Sequence, residues 1–245
     1  MVAKSQIKLI TSLAQKKYRQ QHGLFVVEGI KGIKELLKSR FKMQILYVLS
    51  ENKNDFESEK TEEIDQNSLK KISFLKSPQK ALAVFKIPQD GEINFPDSGL
   101  QLVLDDVRDP GNLGTIIRLC DWFGITDLIC SPQTVDCYNP KVVQATMGSL
   151  GRVNVRYIDL ELFFEQNKLP VFGAFMDGIP IYDEKLPENA ILVLGNEGNG
   201  ISEAVEKQVQ HRISIPQFGN VTAESLNVAT AGAILMNTFR ERGGR

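Results

Sequence analysis

After residue 100, the chain alternates between short apolar runs typical of strands and longer segments with helical spacing. The strand-like runs cover residues 102–104, 127–130, 171–175, 191–194 and 213–215. The helical patterns cover residues 113–123, 140–147, 160–166, 203–208 and 225–240. Because parallel strands need crossover helices between them, this alternation predicts an α/β fold with a mostly parallel sheet covered by helices. Ligands of such sheets usually bind beyond the carboxyl ends of the strands.

The first part of the chain predicts a second, smaller α/β domain. The apolar positions 30, 33, 36 and 37 have helical spacing, and residues 44–49 and 81–85 are typical of short strands. Residues 88–99 are rich in Pro, Gly, Asp and Ser and lack helical periodicity. We therefore expect one domain over residues 1–90, a linker over residues 91–99 and a larger domain over residues 100–245.

Positive charge is concentrated near the start of the chain. The formal net charge is −1, yet residues 1–50 hold ten Lys and Arg against two acidic residues. A basic module suits a polyanionic partner, because side chains that neutralise phosphates release counterions. A solvated helix face is the alternative interpretation of the same charges.

The composition excludes several classes of protein. Hydrophobic residues make up 42% of the 245 residues and charged residues 24%, close to globular averages, which disfavours disorder and coiled coils. No apolar run approaches the roughly 18–20 residues that span a bilayer, and the start of the chain is too polar for a secretory signal. We therefore expect a cytoplasmic protein with no membrane partner. The three cysteines lack Cys-x-x-Cys spacing and lie far from both histidines, so we expect neither a disulfide nor a metal site.

The glycine-rich segments do not match the common nucleotide or hydrolase motifs. Residues 195–200 follow a strand, but their Gly-x-x-Gly-x-Gly spacing differs from the dinucleotide fingerprint, and no phosphate-loop lysine follows. Residues 148–151 lack the spacing of a nucleophile elbow, and neither histidine has an evident triad partner. These patterns disfavour hydride transfer, phosphoryl transfer and serine hydrolysis.

Polar residues stand at three predicted strand-to-helix junctions. In the first, Asn112 opens a helix that carries Arg118. Six residues turn a helix by about 240°, so these two side chains share a site only if Asn112 lies at the helix entrance. In the second, Glu197 lies among three glycines that allow close backbone approach to a ligand, and in the third, Ser225 can cap a helix. Structural interpretations also exist: an N-cap at Asn112 with a solvated Arg118, a plain glycine turn, and a helix cap at Ser225.

Taken in order, the three segments resemble the motifs of the SpoU (TrmH) family of RNA 2′-O-ribose methyltransferases. The first motif is matched by Asn112, Arg118, Phe123 and Gly124, the second by residues 194–202, and the third by Ile215, Pro216 and Gly219 with residues 225–228. More loosely, Lys17, Arg19, residues 23–29 and residues 77–78 resemble the substrate-binding domain of the family.

The resemblance implies a SPOUT fold, in which the parallel sheet carries a deep trefoil knot, preceded by a small α/β RNA-binding domain. It implies S-adenosylmethionine as the cofactor, bound at Leu194, Gly195, Asn196, Gly198, Gly200, Ile215, Pro216, Gln217, Gly219, Ser225, Leu226 and Asn227. It implies a catalytic set of Asn112, Arg118, Glu197, Ser225 and Asn227. Within this set, Arg118 acts on the ribose hydroxyl, either as a base or by polarising it.

The resemblance also implies the partners of the protein. Structured RNA is expected to contact Lys16, Lys17, Arg19 and Arg118. Ribosomal RNA is favoured over transfer RNA, because an N-terminal domain of this type usually accompanies ribosomal substrates. A homodimer is expected, with Ala229, Ala233, Ile234 and Met236 either forming an apolar surface for it or packing inside one subunit.

Two positions depart from the usual family pattern. Five residues, 220–224, separate Gly219 from Ser225 where the commonest pattern has three, and Gln217 replaces a methionine. The polar motif residues are nevertheless intact. Their presence disfavours the two alternatives, a base methyltransferase of the same fold and an RNA-binding protein without activity.

Overall fold

The computed structural model describes residues 2–56, 60–88, 98–218 and 225–243. The chain forms two compact units. Residues 1–92 and 136–152 form the first unit, and residues 93–135 and 153–245 form the second.

The helices and strands are numbered in chain order. Those before residue 89 are α1 (Lys4–Ser12), α2 (Lys16–His22), β1 (Leu24–Glu28), α3 (Ile30–Leu37), β2 (Lys42–Leu49), β3 (Thr61–Ile64), α4 (Gln66–Ile72) and β4 (Ala81–Lys86). Those after residue 97 are β5 (Leu100–Leu104), α5 (Pro110–Trp122), β6 (Asp127–Cys130), α6 (Pro140–Thr146), β7 (Asn154–Tyr157), α7 (Leu160–Gln166), β8 (Val171–Pro180), β9 (Ala190–Leu194), α8 (Glu203–Glu206), β10 (His211–Ser214) and α9 (Val228–Arg242).

In the first unit, the described strands form a mixed sheet in the order β1-β4-β2-β3. β4 is antiparallel to both β1 and β2, and β3 is parallel to β2. Because side chains alternate across a strand, β1 presents Leu24 and Val26 to one face and Phe25 to the other. Leu24 and Val26 pack in a core with residues of α1 and α4. The ring of Phe25 lies 4.8 Å from the ring of Tyr138, which precedes α6.

In the second unit, the described strands form a parallel sheet in the order β10-β8-β9-β5-β6-β7. The central strands β5 and β9 are buried along their whole length, as expected for a sheet covered on both faces. From β5 the chain continues to β6 on one side, whereas from β9 it continues to β10 on the other. The carboxyl ends of β5 and β9 therefore flank the crevice where α/β sheets of this kind bind ligands.

The helix α5 begins earlier than the sequence predicts. Asp109 is its N-cap, since its carboxylate accepts a hydrogen bond from the backbone N–H of Asn112 at 2.8 Å. Pro110 occupies the first helical position, where proline lacks only an N–H that would be unpaired. The prediction that Asn112 opens this helix is therefore wrong, and Asn112 lies within the first turn.

The helix α9 begins later than the sequence predicts. Its N-cap is Asn227, and the expected cap at Ser225 is wrong because Ser225 lies two residues before the N-cap. Ala229 and Met236 are buried inside the chain, so they do not form the apolar dimer surface that was one of their two interpretations.

The described ranges contain no helix that is both long enough and apolar enough to cross a membrane. Among the same residues, no group of three or more His, Cys, Asp or Glu side chains could hold a metal ion. The trefoil knot implied by the family resemblance stays a prediction.

Candidate active site

The segments that follow β5 and β9 are joined by hydrogen bonds. The backbone N–H of Asp105 donates to the carbonyl of Leu194 at 2.9 Å, and the N–H of Ser202 donates to Oδ2 of Asp105 at 2.7 Å. The side-chain amide of Asn196 donates to the carbonyl of Asp106 at 2.7 Å. These bonds hold the two segments together at the carboxyl ends of the central strands.

Residues 195–200 form a closed turn with little side-chain bulk. Asn196 and Gly200 exchange backbone hydrogen bonds at 2.9 and 3.0 Å, and Oδ1 of Asn196 accepts from the N–H groups of Gly198 and Asn199 at 2.9 and 3.0 Å. A Cβ on Gly195 would lie 2.3 Å from the carbonyl carbon of Gly200, and Gly200 itself has φ of +70°. The turn therefore requires glycine at both ends, and it leaves its backbone open to a ligand.

The carboxylate of Glu197 projects from this turn and is fixed by three donors. It accepts a hydrogen bond from Nδ2 of Asn112 at 2.8 Å. It also accepts from the backbone N–H groups of Arg108 and Asp109, each at 3.3 Å. A carboxylate beside the first turn of α5 is favoured by the partial positive charge at a helix N-terminus.

Asn112 links this carboxylate to the third motif. Its Oδ1 accepts a hydrogen bond from Nδ2 of Asn227 at 2.8 Å, while its Nδ2 donates to Glu197. The Oδ1 of Asn227 in turn caps α9, accepting from two backbone N–H groups at 3.0 and 3.2 Å. One chain of hydrogen bonds thus joins residues from all three predicted motifs.

Arg118 lies outside this chain of hydrogen bonds. It follows Asn112 by six residues, which is about 9 Å along the axis of α5 and about 240° around it. The side chain is exposed, and it makes no hydrogen bond or ion pair with any residue the structure describes. Its guanidinium is therefore available to an external partner.

Arg108 is a cationic residue of this region that the sequence reasoning missed. Its guanidinium forms a bidentate ion pair with the carboxylate of Asp106, with both N···O distances at 2.8 Å. Hydrogen bonding to Asp106 raises the pKa of Arg108 above its ordinary value, and the charges of Asp106 and Glu197 add to this. Asp106 has φ of +59°, which is uncommon for a residue other than glycine. The positive φ of Asp106 is the feature that marks this ion pair. It can be observed in the structure but cannot be read from the sequence.

The remaining predicted cofactor residues occupy three places. Leu194 ends β9, and Ser225 and Leu226 are exposed just before Asn227. Ile215, Pro216 and Gln217 follow β10, which is separated from β9 by β8. Gly219, a predicted cofactor contact, lies outside the described residues, as does the predicted departure at residues 220–224.

The predicted RNA contacts of the first unit fall into two groups. Lys16 and Lys17 are exposed on α2. Arg19 is only 2% exposed, and its Nε and Nη2 donate to Oδ2 of Asp136 at 2.9 and 2.5 Å, while Nη1 donates to two backbone carbonyls at 2.8 Å each. Arg19 therefore anchors α2 inside the unit, and its assignment as an RNA contact is wrong.

Two family profiles match the chain. The profile of the SpoU rRNA methylase family matches residues 99–237, and that of the MRM3-like substrate binding domain matches residues 4–83. The second match covers the basic start of the chain.

Curated relatives and solved structures agree with these matches. The chain is 30% identical over 235 residues to the 23S rRNA (guanosine(2553)-2′-O)-methyltransferase RlmP of Bacillus subtilis, with 93% of each chain covered. A structure from Porphyromonas gingivalis, assigned to the TrmH family of RNA methyltransferases, is 40% identical with a TM-score of 0.88 and 99% of each chain covered. An AdoMet-bound rRNA methyltransferase from Sinorhizobium meliloti is 26% identical, with a TM-score of 0.86 and coverage of 98% of this chain and 96% of that one. By these matches, the chain belongs to the SpoU rRNA methylase family.

Proposed function

We propose that this chain transfers a methyl group from S-adenosylmethionine to a ribose 2′-hydroxyl of ribosomal RNA. The observation that carries the proposal is the chain of hydrogen bonds from Glu197 through Asn112 to Asn227. It joins the three motifs in the crevice where such sheets bind ligands. The Bacillus subtilis relative is named as a 23S rRNA 2′-O-methyltransferase, which supports ribosomal over transfer RNA. The proposed substrate implies a reaction in the cytoplasm.

The glycine turn after β9 fits the proposed cofactor. Apart from its chain neighbours, no described residue lies within 4 Å of the place where a Cβ would stand on Gly200, and residues 197–200 are exposed. The open backbone offers N–H and C=O groups to the polar parts of the cofactor without a side chain in the way. Residues 194–200, 215–217 and 225–227 would hold it.

The reaction asks for positioning more than for acid–base chemistry. When bound, S-adenosylmethionine supplies a methyl group already activated on a sulfonium. The chain must hold the ribose oxygen in line with that methyl group. Because arginine stays protonated at neutral pH, we assign Arg118 to donate a hydrogen bond to the ribose oxygen or the adjacent phosphate, and so to polarise the hydroxyl.

Asn112, Glu197 and Asn227 act as positioning residues in this proposal. They bind one another, and so fix the glycine turn against the first turns of α5 and α9. Ser225 stands exposed beside Asn227 and completes the pocket.

We propose that residues 1–90 bind RNA and that residues 100–245 carry out methyl transfer. Of the linker predicted over residues 91–99, residues 91–97 lie outside the described residues. The match of residues 4–83 to a substrate binding domain and the exposed Lys16 and Lys17 support the first assignment. Charge in that region would raise affinity through counterion release without taking part in the chemistry.

We propose that the working form is a homodimer. Trp122 and Phe218 are 83% and 86% exposed, and aromatic residues are enriched at protein–protein interfaces. Sedimentation should give twice the mass of one chain. A monomer that retains full activity would overturn this assignment.

The direct test of the activity uses purified protein and unmodified ribosomal RNA. Calorimetry should show binding of S-adenosylmethionine in the presence of EDTA. A labelled methyl group should then appear in RNA, in dinucleotides that resist alkaline hydrolysis because the 2′-oxygen is blocked. Absence of cofactor binding, or label found only on bases, would contradict the proposal.

A further inference from the structure

The first unit contains a groove with a volume of about 470 Å³. It lies between the start of α3 and the end of α6, and all its lining residues belong to the first unit. Its polar lining includes Lys31, Gln79, Lys80 and Gln144, and Met147 stands on its wall. The volume is in the range of roughly 300–1,000 Å³ that is usual for ligand pockets.

Among the described residues, the charges that face the groove are positive in sum. Lys31 and Lys80 line it, and Lys141 lines a smaller hollow that shares Glu28 and Gln144 with it. The carboxylate of Glu28 is already hydrogen-bonded within the unit: it accepts from Oγ of Ser73 at 2.5 Å and from the N–H of Phe74 at 2.7 Å. The groove therefore favours an anion.

Lys80 is not withdrawn from the groove by its ion pair. It lies 3.3 Å from a carboxylate oxygen of Glu51, and both side chains are more than half exposed. Exposed pairs of this kind contribute little to stability, so a ligand phosphate can compete for the ammonium. The N-terminus of α3, on the same wall, also favours an anion. Its first turn contains no acidic residue, and Gly29 offers no side-chain cap to the backbone N–H groups there.

Met147 gives the groove an apolar contact. Its backbone is left-handed, with φ of +50°, and its side chain is 51% exposed. Glycine would adopt this conformation without strain, so the methionine side chain is kept here at an energetic cost. A flexible thioether packs well against flat rings. The exposed amides of Gln79 and Gln144 stand on the same groove and can bond to the polar edge of such a ring.

We propose that this groove binds one unpaired nucleotide of the RNA substrate, with its phosphate at Lys31 and Lys80 and its base against Met147. Unpaired bases are the parts of RNA that proteins recognise by stacking and by edge hydrogen bonds. The inference rests on the proposed function in taking RNA as the ligand. It concerns where the RNA is held and not how the methyl group moves.

The first test removes the two charges. Full-length protein with Lys31→Ala and Lys80→Ala is compared with a control that carries Lys38→Ala and Lys70→Ala, two exposed lysines of the same unit outside the groove. Binding of unmodified 23S rRNA transcript is measured by filter binding over a range of salt. The groove variant should bind about 10-fold more weakly, and the magnitude of the log-log salt slope should fall by about 0.7–0.9 for one lost phosphate contact, with the control within twofold of wild type. Equal effects of the two double variants would overturn the proposal.

The second test separates the base contact from folding. Met147→Gly relieves the left-handed strain, so the Tm should stay the same or rise, while affinity for the same transcript should fall about threefold to fivefold. Unchanged affinity would overturn the assignment of the groove to a nucleotide. Inorganic phosphate is also used, at matched ionic strength, to displace RNA from wild type and from Met147→Gly. Equal displacement from both proteins would likewise overturn the assignment, because it would show that the groove holds any phosphate. Cofactor binding and methyl transfer at saturating RNA are measured on the same preparations. Their absence in wild type would contradict the proposed function and leave the comparison of RNA affinities valid.

Discussion

At the residue scale, the side-chain amide of Asn112 shows how the three motifs cooperate. Its nitrogen donates to Glu197 and its oxygen accepts from Asn227, so both ends of the amide bind other motif residues. An aspartate here would lose the donor, and an alanine would lose both bonds. Asparagine therefore suits a position that must donate to an acid and accept from an amide.

Arg118→Ala should abolish methyl transfer and leave S-adenosylmethionine binding within about twofold of wild type. The physical reason is that Arg118 is exposed and lies outside the hydrogen-bonded chain of Glu197, Asn112 and Asn227, so its loss does not disturb the glycine turn. Single-turnover transfer to ribosomal RNA and calorimetry with the cofactor measure the two effects. Arg118→Lys keeps the charge and serves as the control for geometry. Near wild-type turnover in Arg118→Ala would remove this residue from the site.

Part of the residue assignment could be predicted from the sequence, and part could not. Asn112, Glu197 and Asn227 were predicted to share a site, and the structure brings their side chains together. The prediction of Arg19 as an RNA contact failed because a cluster of basic residues in the sequence does not show which side chain is buried. Its partner Asp136 lies 117 residues further along the chain.

At the element scale, the turn between β9 and α8 requires glycine, because a larger residue does not fit its backbone conformation. Gly195→Ala places a Cβ 2.3 Å from the backbone of Gly200, and the turn must open to accept it. We expect a loss of about 1–3 kcal/mol in the free energy of unfolding and a large loss of cofactor affinity. Thermal unfolding and calorimetry measure both.

Gly198→Ala is the matched control for this change. Among the residues that the structure describes, a Cβ there would meet only Oδ1 of Asn196, at 3.6 Å, which is ordinary contact. Stability should stay close to that of wild type. If both variants lose stability equally, the close approach at Gly195 is not what holds the turn.

Burial explains only part of which elements could be predicted, because the buried strand β1 was not predicted. The central strand β9 is a continuous apolar run and β5 is apolar except for Gln101, and both were predicted within two residues of their ends. β7 was missed because none of its four residues is fully buried, so it lacks an apolar run. The predicted starts of α5 and α9 differ from the observed starts because several polar residues near each start could serve as the N-cap. Only the backbone conformation decides which of them does so.

At the scale of the whole molecule, the sheet order determines where the site can form. The alternation of strands and helices predicts a parallel sheet but not the order of its strands, which comes from tertiary packing. The same holds for residues 136–152, which belong to the first compact unit through contacts such as that of Phe25 with Tyr138. Contacts across more than a hundred residues leave no local pattern in the sequence.

The central claim is that this chain methylates a ribose 2′-oxygen of ribosomal RNA. The most direct measurement is a map of ribose methylation across all ribosomal and transfer RNA from cells with the gene, without it, and with the gene carrying Arg118→Ala. The map should show a ribosomal ribose that is methylated with the intact gene and unmethylated in the other two strains, with every transfer RNA position unchanged. Identical maps from all three strains, or a lost mark on transfer RNA or on a base, would contradict the claim.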